Sequence, residues 1–239
     1  IGLAASTKLS AIFLIPFFIL LTINYFQIEP VKWLKRAAQY IFLPSLVYLL
    51  SWSGWIFTSG GWDRQSGSNV FTSLWKYHTA ILDFHRNLVE THSYAANPWS
   101  WLILGRPTSF FYETPSGCGV SSCSQEILAI GTPILWWAGI FAIALTFGFF
   151  VTNRDRISMI ILAGIAGTYL PWFLIQSRTT FYFYAISILP FLILALIYSF
   201  NWALKYGDYR KQIIGFLVVV ALNFIYFLPI LLGIEIPYS

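Results

Sequence analysis

The stretch ILAIGTPILWWAGIFAIALTFGFFV, residues 127–151, decides the fold class of this protein. It contains no charged residue, and about 20 consecutive apolar residues are enough for an α-helix to cross a bilayer. The charged sequence NRDR follows at residues 153–156 and ends the apolar run. We therefore predict a transmembrane helix here.

The rest of the sequence has the same apolar character. Hydrophobic residues make up 58% of the chain and charged residues only 10%, with a mean hydropathy of +0.70. Soluble domains contain about 25% charged residues, so the composition indicates an all-α integral membrane protein. Six candidate spans follow, at residues 9–26, 37–57, 127–151, 157–176, 181–202 and 212–233. Because the first residues run straight into an apolar segment, we expect the start to be truncated.

The loops between these spans alternate in charge. VKWLKR, NRDR and KYGDYRK carry most Lys and Arg residues, whereas QSRTT at 176–180 carries only Arg178. Basic loops favour the cytoplasmic side, so the net charge of +5 marks topology and predicts no nucleic-acid partner. This rule places loop 58–126, Arg178 and the C-terminus outside the cell membrane. The predicted parts are residues 1–57 with two spans, the extracytoplasmic loop 58–126, and a four-span bundle at 127–239.

Part of the long loop has helical periodicity. Apolar residues recur at spacings of three and four within residues 71–91, at Leu74, Tyr77, Ile81, Phe84 and Leu88. This pattern predicts an amphipathic helix. Two placements remain open: the helix lies along the outer membrane surface, or it packs on a small extracytoplasmic core.

Three histidines recur at intervals of seven residues, two within this helix and one just after it: His78, His85 and His92. On a helix such residues lie roughly 10 Å apart, whereas zinc needs its ligands at about 2 Å. We therefore expect no metal site and no cofactor. The histidines either form a polar edge that faces a substrate or are solvated and hydrogen-bonded.

The residues after the helix are polar and aromatic. His92 precedes SYAANPWSW, in which Trp99 and Trp101 serve either as interface anchors or as a platform for a sugar or peptide. Arg106 and Arg178 are cations on the outer side, where arginine pairs with phosphate in bidentate fashion or binds bulk lipid headgroups. Arg178 is the only charge in its loop, which indicates a specific anion.

Two cysteines lie in the sequence GCGVSSC, at Cys118 and Cys123. On an oxidising side of the membrane they would form a small disulfide loop; otherwise they are free thiols. The common nucleotide-binding, zinc-protease and serine-hydrolase motifs are absent from the sequence. No Asp or Glu lies within a predicted span, which argues against a proton-coupled transporter.

The pattern YH…FH…L…HSY…NPWSW…RP resembles the actinobacterial-type polyprenyl-phosphate-mannose–protein O-mannosyltransferases. The resemblance extends to four further segments: GLAASTKLS, LSWSGWIF, CGVSSCSQEILAIGTPILWW and RTTFYFYAISILPF. It implies a GT-C glycosyltransferase that uses a polyprenyl-phosphate-mannose donor. The implied acceptor is Ser or Thr of a polypeptide emerging from the membrane, at the secretion translocon, with membrane lipid around the enzyme.

The resemblance also implies roles for particular residues. His92, Trp99, Trp101 and Arg106 belong to the loop that shapes the donor and acceptor site. Arg178 is the candidate for the carrier phosphate, and Lys8 is a second one. The family's catalytic acidic pair lies in an earlier loop without a counterpart in this sequence, so no catalytic residue is assigned. Two alternatives remain: another GT-C enzyme with a lipid-linked sugar, and a membrane transporter or scaffold.

Overall fold

The computed structural model describes residues 1–23, 30–116, 118–119 and 122–237. Short helical segments make up the N-terminal part of the chain. They are α1 (Gly2–Thr7), a 3-10 segment (Leu9–Phe13), α2 (Leu14–Ile23), α3 (Pro30–Ala37), a π-helical turn (Ala38–Phe42), α4 (Leu43–Ser51) and α5 (Ser53–Phe57). The described part of predicted span 9–26 is a shorter apolar helix, and residues 24–26 lie outside the described residues. Span 37–57 is divided among several segments, so both N-terminal spans stay predictions.

The next helix, α6 (Val70–Asn87), is the amphipathic helix expected at residues 71–91. The side chain of Asn69 caps its start by accepting a hydrogen bond from the Thr72 amide at 2.9 Å. The helix ends four residues early because the carbonyl of Leu88 instead accepts a hydrogen bond from the Thr179 amide. Leu74 is buried and Phe84 is 61% exposed, so the two predicted placements of the apolar stripe, on the membrane surface or on a core, both stay predictions.

A small antiparallel sheet, which the all-α prediction did not include, begins in the loop. Its strands are β1 (Thr108–Glu113), β2 (Cys123–Ala129) and, beyond the last helix, β3 (Ile236–Pro237), in the order β1-β2-β3. A disulfide joins Cys118 to Cys123 between β1 and β2. Residues 127–129 were expected to begin a helix and instead end β2. A short apolar run does not distinguish a strand from a helix by periodicity alone.

Four helices in the described part of the chain are long and apolar enough to cross a membrane. They comprise α8 (Pro133–Asn153), α9 (Arg156–Tyr169) with its 3-10 extension Leu170–Leu174, α10 (Leu189–Tyr206) and α11 (Arg210–Leu232); the short α7 (Pro98–Trp101) precedes them. Pro171 lies where the regular part of α9 gives way to 3-10 turns, and Pro190 lies in the first turn of α10. Proline cannot donate the interior hydrogen bond of an α-helix, which accounts for these positions.

The core of the bundle lies between α8, α9 and α10. Ile188, Leu192 and Ala195 are fully buried there. Gly139 of α8 lies directly against Leu192, which leaves no room for a larger side chain at that position. Small residues of this kind let helices approach closely inside a membrane. Helix α2 packs on α9, and α11 contacts α8 and β2.

Several loop segments meet at one end of the bundle. Strand β3 pairs with β2, and Ala95 forms an antiparallel bridge with Phe181. The turn between α8 and α9 and the turn between α10 and α11 lie at the other end, one helix length away. This common end carries the candidate site.

Candidate functional site

Residues 88–97, here called the strap, are hydrogen-bonded to the turn that precedes α10. The Thr179 amide donates to the Leu88 carbonyl at 3.1 Å, and the Ala96 amide donates to the Thr180 carbonyl at 2.8 Å. The buried hydroxyl of Thr180 donates back to the carbonyl of Ala96 at 2.8 Å. The strap is therefore fixed against the turn by main-chain and side-chain bonds together.

A cavity of about 270 Å³ lies between the strap and this turn. Its wall consists of residues 89–91, 95–97, Arg106 and 176–180. Arg106 donates a hydrogen bond from Nη1 to the carbonyl of Ala95 at 3.2 Å, and its backbone has a φ of 54°. A left-handed conformation is unfavourable for a non-glycine residue and recurs at functional sites. The structure thus brings Arg106 and Arg178 into one cavity.

Lys8 and Arg178 both lie near the ring of Tyr184, although they are far apart in sequence. The ammonium of Lys8 lies 3.9 Å from the ring centre of Tyr184 and 5.7 Å from that of Trp172, while the Arg178 guanidinium lies 6.0 Å from Tyr184. Cations at these distances are attracted to the ring faces. Burial and the charge of Arg178 lower the pKa of Lys8.

His85 completes this group, which we call the cationic cluster: Lys8, His85 and Arg178. Burial and the charge of Arg178 lower the pKa of His85. Nδ1 of His85 and Nε of Arg178 are both buried, and neither has a hydrogen-bond partner among the described residues. Unpaired buried polar atoms are costly. A site that holds two of them beside a lysine is suited to an anion with several acceptor oxygens.

The other predicted site residues divide between surface and core. His92 is exposed; its Nδ1 accepts a hydrogen bond from the Tyr94 amide at 3.1 Å, and its ring lies 5.1 Å from that of Phe181. Trp99 is 62% exposed, as a membrane anchor or a binding platform would be. Trp101 is 0% exposed and donates from Nε1 to the Ala96 carbonyl, so its buried ring is neither the interface anchor nor the ligand platform expected from the sequence. This hydrogen bond ties the strap residue Ala96 to the hydrophobic core.

The ring of His78 is held by hydrogen bonds and by aromatic packing. One ring nitrogen lies 2.7 Å from the hydroxyl of Tyr48, the other lies 2.7 Å from the carbonyl of Leu74, and the ring packs against Trp52. Of the two interpretations of this histidine, a substrate-facing edge or a solvated and hydrogen-bonded side chain, the structure has the hydrogen-bonded one. Within the described ranges, no group of three or more His, Cys, Asp or Glu side chains could hold a metal ion.

Comparison with known proteins identifies the family. A sequence model described as the C-terminal four TMM region of protein-O-mannosyltransferase matches residues 70–239. The chain belongs to the protein O-mannosyltransferase family. The match includes residues 70–126 of loop 58–126, so the cavity and, apart from Lys8, the cationic cluster lie within the matched residues.

Curated relatives agree with this assignment. The polyprenol-phosphate-mannose–protein mannosyltransferase of Mycolicibacterium smegmatis is 29% identical over 100% of this chain and 54% of its own length. The protein of the same name from Mycobacterium tuberculosis is 25% identical over 99% of this chain and 53% of its own length. This chain thus spans about half the length of these relatives.

A solved structure shares the fold. The Saccharomyces cerevisiae protein O-mannosyltransferase Pmt1–Pmt2 complex bound to the sugar donor superposes with a TM-score of 0.56 and 23% identity. The match covers 72% of this chain and 25% of that one. It supports the helical membrane architecture of this family member.

Sequence reasoning missed part of the site. From the sequence, Tyr184 and Trp172, which flank Lys8, are only residues of apolar spans. The role of His85 is open there between a substrate-facing and a solvated or hydrogen-bonded side chain. The signal for Tyr184 was present in RTTFYFY, where an arginine precedes an unusually aromatic run. The proximity of Lys8 to this run depends on the packing of α2 against α9, which no local pattern encodes.

Proposed function

We propose that this protein takes part in transferring mannose from a polyprenyl-phosphate-mannose donor to Ser or Thr side chains of secreted or membrane proteins. The names of the curated relatives support the reaction class. The observation that carries the proposal is the cationic cluster. It joins two positively charged side chains to buried nitrogen atoms that have no hydrogen-bond partner among the described residues.

The cluster fits the phosphate of such a donor. An arginine guanidinium can donate two parallel hydrogen bonds to phosphate oxygens, and the lysine adds a point charge. When the bond between mannose and phosphate breaks, the lipid phosphate leaves with additional negative charge. Cations that are already in place stabilise this developing charge without reorganisation. Arg178 and Lys8 would thus favour departure of the lipid phosphate.

The cavity beside the cluster fits the reacting sugar and hydroxyl. Arg178 lies in the wall of the cavity and also in the cluster, so a phosphate bound there would present its mannose to the space under the strap. Glu90 also lines this space, and its main-chain carbonyl accepts a hydrogen bond from Thr179. We assign no general base to residues 1–239.

We further propose that the site faces the extracytoplasmic side of the plasma membrane, where acceptor polypeptides emerge from the translocon. The support is the charge of the turns at the other end of the bundle. Arg154, Arg156, Lys205, Arg210 and Lys211 lie there, and basic residues favour the cytoplasmic side.

Replacement of Arg178 tests the donor-site proposal. Loss of hydrogen bonds to a charged group costs about 1.5–3 kcal/mol, so Arg178→Ala in the full natural protein should raise the KM for polyprenyl-phosphate-mannose about tenfold to a hundredfold. The measurement is the transfer of labelled mannose from lipid to a Ser/Thr peptide. Arg210→Ala, at the other end of the bundle, is the matched control. Equal donor KM and kcat for both variants would refute the assignment.

A further inference from the structure

Strand β1 lies at the edge of its sheet, and one of its sides has no paired strand among the described residues. In the part of the chain that the structure describes, the sheet order is β1-β2-β3, and β1 pairs with β2 alone. An antiparallel edge strand turns the N–H and C=O groups of alternate residues away from its neighbour. These groups form a ready template for a further strand.

This edge begins at the cavity. Arg106 lines the cavity wall, and β1 starts two residues later at Thr108. Thr108 is buried, and its hydroxyl is one of the few buried polar atoms without a partner among the described residues. A chain that lies along β1 would therefore reach the cavity at its end.

Aromatic contacts connect the same strand to the cationic cluster. The ring of Phe110 lies 5.5 Å from that of Phe183, and Phe183 lies 4.8 Å from Tyr184, whose ring face holds Lys8. Phe110 is nevertheless 62% exposed and Tyr112 is 56% exposed. The strand thus offers large apolar side chains to a ligand while remaining continuous with the site.

We propose that the free edge of β1 binds the acceptor polypeptide as an added, extended strand and guides its Ser or Thr residue into the cavity. The inference rests on the proposed function, for which it supplies the acceptor-binding surface. An enzyme that modifies hydroxyl side chains in different sequences needs a contact that does not depend on side chains. Main-chain pairing supplies such a contact, and exposed aromatic residues add apolar area.

The features of the edge favour a transient polypeptide over a second copy of this chain. A bulge interrupts the register between Ser109 and Phe111, Pro107 precedes the strand, and Glu113 ends it. A bulge, a proline and a charge limit the length over which any strand can pair with this edge. The uninterrupted stretch is short, which suits an acceptor that must leave after transfer.

Backbone methylation of a synthetic Ser/Thr peptide tests the pairing directly. One peptide carries N-methyl groups on alternate amides, and a second carries them on the amides between, with the acceptor residue unmodified in both. Since strand pairing uses alternate amides only, one series should show a KM at least about fivefold higher than the other. Membranes that contain the full natural protein are used. Equal KM values for the two series would overturn the proposal.

Cross-linking tests the location and does not require transfer. A photoreactive tyrosine analogue replaces Tyr112, with the same replacement at the exposed Tyr206, at the other end of the bundle, as the control. We expect the unmethylated peptide to cross-link at position 112 and not at 206. Equal labelling at both positions, or cross-linking of position 112 to a second copy of the protein, would overturn the proposal. A cross-link at 112 without any mannose transfer would instead count against the proposed reaction.

Discussion

Arg178 contributes both to the cationic cluster and to the wall of the cavity. The sequence identified this residue because it is the only charge in its loop. The structure adds the reason for its position: the strap and the turn before α10 surround it, and its Nε is buried without a partner in the described ranges. Such an arrangement is unfavourable in an empty site and is compensated when an anion binds.

His85 should make donor binding depend on pH. Burial and the charge of Arg178 lower its pKa, so the unfolded chain, with a pKa of about 6.5, takes up the proton first as the pH falls. Without donor, the contribution of His85 to stability is therefore present above the unfolded pKa and is lost as the pH falls from there through the lowered pKa. A bound phosphodiester favours the protonated ring, so donor affinity should rise by up to about tenfold between about pH 7.5 and 5.5.

The measurement is the donor dissociation constant across this pH range. His85→Gln should remove most of the pH dependence, because glutamine keeps a polar group but cannot take up the proton. His92→Gln is the matched control and should retain the dependence, since His92 lies outside the cluster. A pH dependence that persists in His85→Gln and disappears in His92→Gln would contradict the role of His85.

At the scale of elements, the strap is the part that the sequence did not predict. The apolar spacing within residues 71–91 predicts that helix α6 continues to residue 91. The bond at the end of the helix comes from Thr179, and Thr180 binds the strap further along, at Ala96; both threonines are distant in the sequence. The small sheet was missed for a related reason: its strands are short, and β3 pairs with β2 only after the whole bundle has intervened.

Thr180→Val tests the contribution of the strap. Valine has nearly the same shape, but it cannot donate to the Ala96 carbonyl, and the loss of one buried hydrogen bond costs about 1 kcal/mol. Amide hydrogen exchange in residues 88–97 should therefore become roughly fivefold faster. Thr152→Val, which removes a hydroxyl bond within α8, should leave this exchange unchanged. Unaltered exchange in Thr180→Val would show that main-chain bonds alone fix the strap.

For the whole molecule, hydropathy was sufficient to identify the four C-terminal helices, and their ends moved by only a few residues except at prolines and at β2. Hydropathy could not reveal which segments meet. Lys8 and Arg178 were proposed separately as phosphate ligands, and only the packing of the N-terminal segments on α9 brings them together.

The sidedness of the molecule is predicted from this arrangement together with the basic turns. Ala95 and β2 share one end with the turn at 175–181 and with β3, so the charge rule predicts that loop 58–126, this turn and β3 lie on the same side of the membrane. Ser68→Cys and Asp208→Cys, both at exposed positions, report on the two ends. With a membrane-impermeant maleimide on intact cells, Ser68→Cys should react, whereas Asp208→Cys should react only after permeabilisation. The unsubstituted protein, whose cysteines form a disulfide, sets the background. The reverse labelling pattern would place the cationic cluster in the cytoplasm, where it could not meet an emerging acceptor.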